Sequence, residues 1–145
     1  RDLSMTSRLD IIIPVYNEGG VILKTLAGLR RDVKTPSRIL ICYDRPDDNT
    51  LSTIKAHSVE VEGLDIEFVQ NRSRGAHGAV MSGFTASKAP YVLVFPADDD
   101  FNAGILDAMV AKAEQGAAVV CASRFMPRPL PSLRAYLPAP RPAPC

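Results

Sequence analysis

Short apolar runs recur along the chain at spacings of 26–30 residues, and the segments between them have the periodicity of amphipathic helices. The runs are rich in Ile, Val, Leu and Phe and comprise Arg8–Val15, Arg38–Tyr43, Asp65–Gln70, Tyr91–Phe95 and Ala117–Ala122. Strands that are apolar on both faces are typical of parallel sheets covered by helices on each side. With right-handed crossovers, this pattern predicts a Rossmann-like three-layer α/β/α sandwich with a mainly parallel sheet.

Four helices are predicted between these strands, each from apolar residues that share one face. The second helix starts after the capping candidates Asp48 and Asn49. The predicted apolar faces are Ile22, Leu26 and Leu29; Leu51 and Ile54; Ala76, Val80, Gly83 and Phe84; and Ile105, Met109 and Ala113.

Composition sets the class of protein. The chain has 145 residues, 46% of them hydrophobic and 23% charged, which fits one globular domain. It contains no apolar run of the roughly 18–20 residues that a membrane-spanning helix needs, and no secretory signal pattern. Three widely spaced cysteines without a CxxC pair predict a reducing, cytoplasmic location rather than a disulfide framework. The first residue is Arg1 and not Met, which indicates a fragment or a processed product.

The last part of the sequence differs from the rest. Residues 1–126 carry 14 basic and 16 acidic residues, a net charge of −2, whereas residues 127–145 carry three arginines and no acid. Neither part has the basic surface that nucleic-acid binding requires. Seven of the 12 prolines lie in residues 127–145, so this segment is predicted to be an extended or disordered tail. The predicted folded unit is therefore residues 1–126.

Ligands of open α/β sheets bind outside the carboxyl ends of the strands, so the polar residues there are the candidates for a site. Asp98, Asp99 and Asp100 follow the fourth strand, and acids at i and i+2 can share Mg²⁺ or Mn²⁺. The alternative interpretation is that these acids only cap the following helix and complement its dipole. Asp44, at the end of a neighbouring strand, favours the metal site.

The other strand ends suggest a nucleotide. Tyr16, Glu18 and Asp44 could hold a nucleoside through ring packing and carboxylate hydrogen bonds. Arg74, in a glycine-containing loop that opens a helix, and Arg124 could each pair with phosphate. Each of these features also has a purely structural interpretation, as a strand-edge aromatic, a solvated acid or an ion-pair partner.

Taken together and in order, these motifs resemble family 2 glycosyltransferases. The resemblance rests on IIIPVYNE (Ile11–Glu18), Asp44, the NRSRGAHGAV helix start, the ADDD cluster and the SRFMP segment. Within that family the chain is most similar to dolichol- and polyprenyl-phosphate sugar synthases. The resemblance implies a GT-A fold, a nucleotide-diphosphate sugar as donor, a divalent metal, and an acceptor such as a polyprenyl phosphate. It also implies peripheral attachment at the cytoplasmic membrane face.

The resemblance implies roles for the residues of this sequence that match the family's motif positions. The implied nucleotide contacts are Pro14, Tyr16, Glu18 and Asp44; Asp98 and Asp100 lie at the metal and diphosphate, and Arg124 contacts the donor. The usual first acid of the strand-four motif is replaced here by Pro96. The acceptor machinery that follows the SRF-type segment in the family is replaced by the proline-rich tail, so no residue matches a catalytic base.

Three functions are alternatives to a glycosyltransferase. A non-catalytic nucleotide-binding fragment has the same donor residues but no turnover. A dinucleotide-dependent oxidoreductase is disfavoured because the first β-α turn lacks GxGxxG. A phosphoryl-accepting receiver domain would need an acidic pair after the first strand, where only Glu18 is present.

Overall fold

The computed structural model describes residues 6–123. The elements in chain order are β1 (Leu9–Pro14), α1 (Ile22–Asp32), β2 (Ser37–Tyr43), α2 (Asn49–Ala56), β3 (Ile66–Gln70), α3 (Gly75–Ala86), β4 (Tyr91–Val94), a 3-10 turn (Ala103–Ile105) and α4 (Leu106–Glu114). The strands form one sheet in the order β3-β2-β1-β4, with every pair parallel. The predicted parallel α/β architecture is confirmed.

Helices cover both faces of the sheet. On the face that we call the α1 face, the odd-numbered residues of β1 pack with α1, α2 and α4 in the larger apolar core. On the opposite face, the α3 face, Ile12, Leu40 and Cys42 pack against Ala79 of α3. Right-handed crossovers explain this division, because α1 and α2 lead in one direction along the sheet and α3 leads back. Burial raises the pKa of the Cys42 thiol to about 11.

Helix α3 packs through its small residues, not through the face predicted from its larger apolar ones. The buried positions are Gly78, Ala79, Ser82 and Gly83. A Cβ atom on Gly83 would lie 2.6 Å from a side-chain carbon of Ile12, so only glycine permits this approach to β1. Of the predicted face only Gly83 is buried, because close packing selects small residues, and Phe84 is left 44% exposed.

Helix α4 is rotated by one position relative to the prediction. Leu106 and Val110 are buried, whereas Ile105, from the predicted face, is 38% exposed. The carboxylate of Asp107 fixes this rotation, since it accepts hydrogen bonds from the backbone N–H groups of Lys34 and Thr35 at 2.9 Å. Burial alone would raise the pKa of Asp107, but these hydrogen bonds outweigh that effect and lower the pKa.

The predicted fifth strand, Ala117–Ala122, is wrong. This segment pairs with no strand within residues 6–123 and is largely exposed. After β4 the chain crosses the α1 face. Two hydrogen bonds show this path: the Thr25 hydroxyl donates to the Ala97 carbonyl at 2.6 Å, and the Lys34 N–H donates to the Asp107 carboxylate. From that face, a right-handed crossover leads from β4 to the position that β1 already occupies. A parallel strand at the open side of β4 would need the left-handed crossover that proteins almost never use.

A charge that the sequence analysis did not single out is buried at the amino end of the sheet. Asp10, in β1, is fully buried and accepts hydrogen bonds from Arg38 Nε at 3.1 Å and Nη2 at 3.0 Å. It also accepts from Ser87 Oγ and from the N–H groups of Lys88 and Ala89. Burial raises the pKa of Asp10, but these hydrogen bonds outweigh it and lower the pKa to about 2. Asp10 thereby ties the connection between α3 and β4 to the sheet.

Candidate functional site

Three loops at the carboxyl end of the sheet border two adjoining hollows. They follow β1, β2 and β3 and span residues 15–21, 44–48 and 71–74. The larger hollow has a volume of about 330 Å³ and is lined by Tyr16, Asp44, Arg45, Asn71, Arg72, Ser73 and Arg74. The smaller one, about 170 Å³, shares Tyr16, Asp44 and Arg45 and reaches the start of α2. The site therefore lies where an open parallel sheet binds ligands.

The loop after β1 is held in place by the start of α2. Three successive backbone N–H groups, of Asn17, Glu18 and Gly19, donate to Asp48 Oδ2, Thr50 Oγ1 and Asn49 Oδ1 at 2.9–3.0 Å. Asp48 also caps α2 by accepting from the Thr50 N–H at 2.8 Å, which confirms the predicted cap. These bonds hold the loop in place from the side of α2.

Two residues of this loop meet special backbone requirements. Asn17 adopts the left-handed conformation with φ of 53°, which asparagine tolerates better than most residues. A Cβ atom on Gly19 would lie 2.6 Å from Thr53 Oγ1 and 2.9 Å from Asn49 Oδ1, so the loop can approach α2 only with glycine there. As a result Tyr16 stands at the rim with 72% of its surface exposed, available to a ligand.

Asp44 is fixed and ionised at the centre of the site. Its Oδ1 accepts a 2.6 Å hydrogen bond from Asn71 Nδ2, and its Oδ2 accepts a 3.1 Å bond from the Gly75 N–H at the start of α3. The Asn71 bond, then the Gly75 bond, lowers the pKa of Asp44 against a small effect of burial, and the charge of Arg74 adds to the lowering. The carboxylate keeps lone pairs for a donor group on a ligand.

Asn71 is a positioning residue that sequence analysis missed. Its backbone N–H binds the Tyr43 carbonyl at 2.8 Å, and its side chain orients Asp44. Its Oδ1 is buried and, within residues 6–123, has no hydrogen-bond partner. The available signal was an amide side chain directly after β3, opposite an acid directly after β2.

Three arginines bring positive charge to the larger hollow. Arg45, Arg72 and Arg74 line it, and Arg74 is the N-terminal boundary residue of α3. Arg45 is engaged by Asp47 at 3.0 and 3.1 Å in an exposed pair. Guanidinium groups beside a helix N-terminus are suited to phosphate oxygens.

The acidic cluster after β4 divides into two roles. Asp99 accepts hydrogen bonds from the Phe101 and Asn102 N–H groups and from Asn102 Nδ2 at 2.8–3.0 Å, so it stabilises its own turn. Burial opposes the ionisation of Asp99, but these bonds lower its pKa. In the described part of the chain, Asp98 and Asp100 have no side-chain hydrogen bond or ion pair. The structural interpretation thus holds for Asp99 alone.

The acids after β4 offer carboxylate oxygens, the kind of ligand that Mg²⁺ prefers. No group of three or more His, Cys, Asp or Glu side chains able to hold a metal exists within residues 6–123. However, Mg²⁺ is usually bound by one or two carboxylates together with substrate phosphates, and Asp98 and Asp100 are two such uncommitted carboxylates. They do not line either hollow, so the structure does not assemble them with Asp44.

The structure brings together some of the residues predicted for the site. Tyr16, Asp44 and Arg74 line one hollow. Pro14 is the last residue of β1, paired with Cys42, and Glu18 belongs to the loop after it, but neither lines a hollow. The predictions for Arg124 and for the tail at 127–145 lie outside the described residues.

The fold and this arrangement agree with comparison to known proteins. Residues 10–136 match the domain described as Glycosyl transferase family 2. The chain belongs to glycosyltransferase family 2. The predicted resemblance is thereby confirmed.

Relatives of this family member are longer than the chain. It is 31% identical over 112 residues to the undecaprenyl-phosphate 4-deoxy-4-formamido-L-arabinose transferase of Shewanella sediminis, covering 74% of the chain but 34% of that enzyme. Among solved structures, the Pyrobaculum calidifontis mannosyltransferase PcManGT in complex with GDP-Man and Mn²⁺ aligns with a TM-score of 0.62 at 20% identity, over 75% of this chain and 32% of that one. Staphylococcus aureus TarS in complex with UDP aligns with a TM-score of 0.57 at 18% identity, over 74% and 32%. The chain therefore spans about a third of these proteins.

In residues 6–123 no helix combines the length and apolarity needed to cross a bilayer.

Proposed function

We propose that this chain forms the donor half of a glycosyltransferase that transfers a sugar from a nucleotide-diphosphate sugar. The observation that carries the proposal is the larger hollow, where an exposed aromatic ring, an immobilised carboxylate and arginines meet at the start of α3. These groups match the three parts of a nucleotide: a planar base, a ribose with donor groups, and phosphates.

Each residue has a distinct task in this proposal. Tyr16 packs on the base, and Asp44 accepts a hydrogen bond from the base or the ribose. Arg74 and the α3 N-terminus neutralise phosphate oxygens. Pro14, at the end of β1, and Glu18, in the loop after it, add further contacts to the nucleotide. Arg124 contacts the donor from the segment after α4.

Asp98 and Asp100 are proposed to hold Mg²⁺ or Mn²⁺ together with the donor diphosphate. Such a cation would stabilise the negative charge of the departing diphosphate as a Lewis acid. The Mn²⁺ in the PcManGT complex supports this part of the proposal. The two acids supply ligands while the phosphate oxygens complete the coordination shell.

The acceptor proposed for the complete enzyme is a polyprenyl phosphate, reached from the cytoplasmic face of a membrane. The support is the similarity to the Shewanella sediminis enzyme, whose name specifies undecaprenyl phosphate. We place the donor domain at residues 1–126 and a separate proline-rich tail at 127–145. No described residue has been assigned as the base that would activate an acceptor.

A second candidate is a nucleotide-binding unit without turnover. It rests on the same residues around the larger hollow, which can bind a nucleotide whether or not a sugar is transferred. Both candidates bind nucleotide, and only the first transfers sugar. A radiolabelled-donor assay with polyprenyl phosphate and membranes distinguishes them, because robust glycolipid formation that Asp98→Ala abolishes would exclude the second.

Calorimetry with UDP and GDP tests the donor site directly. We expect one of the two nucleotides to bind in Mg²⁺ or Mn²⁺ and to lose most of its affinity in chelator or in the Asp98→Ala, Asp100→Ala double variant. Asp44→Asn should weaken binding with or without metal. Glu62→Gln, an exposed acid away from the site, is the matched control. Equal binding in chelator would reject the metal assignment, and absence of any binding would reject the donor site.

A further inference from the structure

The loop that brings two arginines to the larger hollow is fixed at both of its ends. We call residues 71–74 the arginine loop, because Arg72 and Arg74 both line the hollow. At its start, the Asn71 N–H is bonded to the last carbonyl of β2, and directly after it the Gly75 N–H is bonded to the carboxylate that follows β2. These bonds fix where the loop begins and ends, and the position of the backbone between them depends on a further support.

Helix α3 supports the middle of the arginine loop through a buried hydroxyl. The Arg72 N–H donates a hydrogen bond to Ser82 Oγ at 3.1 Å, and Ser82 is only 7% exposed. A partly buried N–H group that loses its acceptor costs free energy, so this bond favours the position in which Arg72 lies against the helix. The second turn of α3 therefore determines where the backbone of this arginine lies.

One turn earlier, the same face of α3 has no side chain. Gly78 and Ser82 are four residues apart, share one face of the helix and are both buried. A Cβ atom on Gly78 would lie 2.6 Å from Ser73 Oγ and 2.7 Å from the Ser73 carbonyl carbon, closer than side chains approach each other in proteins. The backbone of Ser73 thus lies directly on the helix, next to the residue that Ser82 holds.

We propose that Ser82 and Gly78 are positioning residues that direct Arg72 and Arg74 toward the diphosphate of the donor. This inference rests on the proposed function, because it requires a nucleotide in the larger hollow, and it adds Arg72 to the phosphate contacts. An arginine side chain is long and flexible, so its contribution to affinity depends on how little freedom remains to be lost when the ligand binds. A loop backbone that is already held on α3 reduces this loss for both arginines. The base contact of Tyr16 comes from another loop and does not depend on this support.

Competition binding separates the phosphate contacts from the nucleoside contacts. A fluorescent derivative of UDP or GDP, whichever the chain binds, is displaced in Mn²⁺ by the matching nucleoside or by the nucleoside diphosphate. We expect Ser82→Ala and Gly78→Ala each to weaken the diphosphate about fivefold or more, and the nucleoside by less than about twofold. A role in stability alone would weaken both ligands equally.

The matched control is Thr85→Ala, in the same helix. The exposed Thr85 hydroxyl donates to the Met81 carbonyl at 3.0 Å within α3, so its loss does not touch the arginine loop and both affinities should stay unchanged. Thermal denaturation followed by circular dichroism shows which variants are folded. If the added methyl group of Gly78→Ala prevents folding, Ser82→Ala decides, because that change only removes a hydroxyl.

A double-mutant cycle tests whether the effect passes through the arginines. In an Arg72→Ala, Arg74→Ala background, Ser82→Ala should cause no further loss of diphosphate affinity. A further loss of the same size would overturn the inference, as would an equal loss for nucleoside and diphosphate, or unchanged diphosphate affinity in either variant that folds. In these cases the unmodified chain still binds the nucleotide, and the proposed function stands. An unmodified chain that binds neither nucleotide would overturn the proposed function and this inference with it.

Discussion

The two ends of the parallel sheet use carboxylates in opposite ways. At the amino end, Asp10 accepts five hydrogen bonds and Asp107 accepts four, so donors of the protein itself stabilise both carboxylates. At the carboxyl end, Asp44 accepts two, and Asp98 and Asp100 accept none from the described residues. The difference shows that the same residue type stabilises the fold where it is enclosed and stays available to ligands where the loops open.

Breaking the amino-end ion pair should have the largest effect. Arg38→Ala leaves Asp10 buried without its main partner and should lower the free energy of unfolding by about 3–5 kcal/mol, toward the lower value because the Ser87, Lys88 and Ala89 bonds remain. Urea denaturation measures it. Arg45→Ala, which breaks an exposed pair with Asp47, is the control and should cost less than about 1 kcal/mol. Equal losses for the two variants would contradict the contrast between the ends.

Acid should remove the contribution of Asp10 next. Its pKa is lowered from 3.8 to about 2, so the stabilisation is present above the unfolded value and disappears as pH falls through the folded one. The free energy of unfolding should drop by about 2 kcal/mol from this residue between roughly pH 4 and pH 2. Denaturant titrations at a series of pH values measure the drop. In Asp10→Asn that part of the pH dependence should be absent, and an unchanged profile would show that other carboxylates account for it.

Asp48 separates the effect of burial from the effect of position, because it is a buried carboxylate at the carboxyl end of the sheet. Asp48→Ala removes the α2 cap and the bond to the Asn17 N–H, and should lower the free energy of unfolding by about 1–2 kcal/mol. Nucleotide affinity should fall with it, since the loop that carries Tyr16 loses an anchor. Thermal denaturation and calorimetry measure the two effects. The exposed neighbour Asp47 provides the matched Asp47→Ala variant, for which a comparable loss of stability is not expected.

The smallest effect on stability is expected at the uncommitted acids. Asp98→Asn and Asp100→Asn remove no described hydrogen bond and should change the free energy of unfolding by less than about 0.5 kcal/mol. Metal-dependent nucleotide binding should nevertheless weaken strongly in both. Thermal shift with and without UDP or GDP and Mn²⁺ separates the two quantities. Marked destabilisation of the unliganded variants would assign these acids to the fold instead.

Sequence patterns predicted the sheet well and the helix faces less well, for a physical reason. The apolar runs of β1 and β2 mark buried strands because both faces of those strands are covered. The faces of α3 and α4 depend on partners distant in sequence: Gly83 must approach Ile12 closely, and Asp107 must meet Lys34. Hydrophobic periodicity contains neither requirement.

The candidate site was predictable to a similar extent. Tyr16, Asp44 and Arg74 could be placed because strand ends in a parallel sheet meet at one edge. The role of Asn71 depends on the relative position of two loops, which no local pattern specifies. The same holds for Ala117–Ala122, whose composition suits a strand but which pairs with no strand of the described residues.

The pairing of Asn17, Glu18 and Gly19 with Asp48, Asn49 and Thr50 limits how the length of this protein can vary. Surface loops ordinarily accept inserted or deleted residues. Here three successive donors face three successive acceptors, so one residue added to or removed from either segment would displace all three bonds at once. Loop grafting or domain insertion should therefore avoid residues 17–19 and 48–50 and use instead the turn at residues 58–63, which lies away from the hollow and is exposed except at Val61.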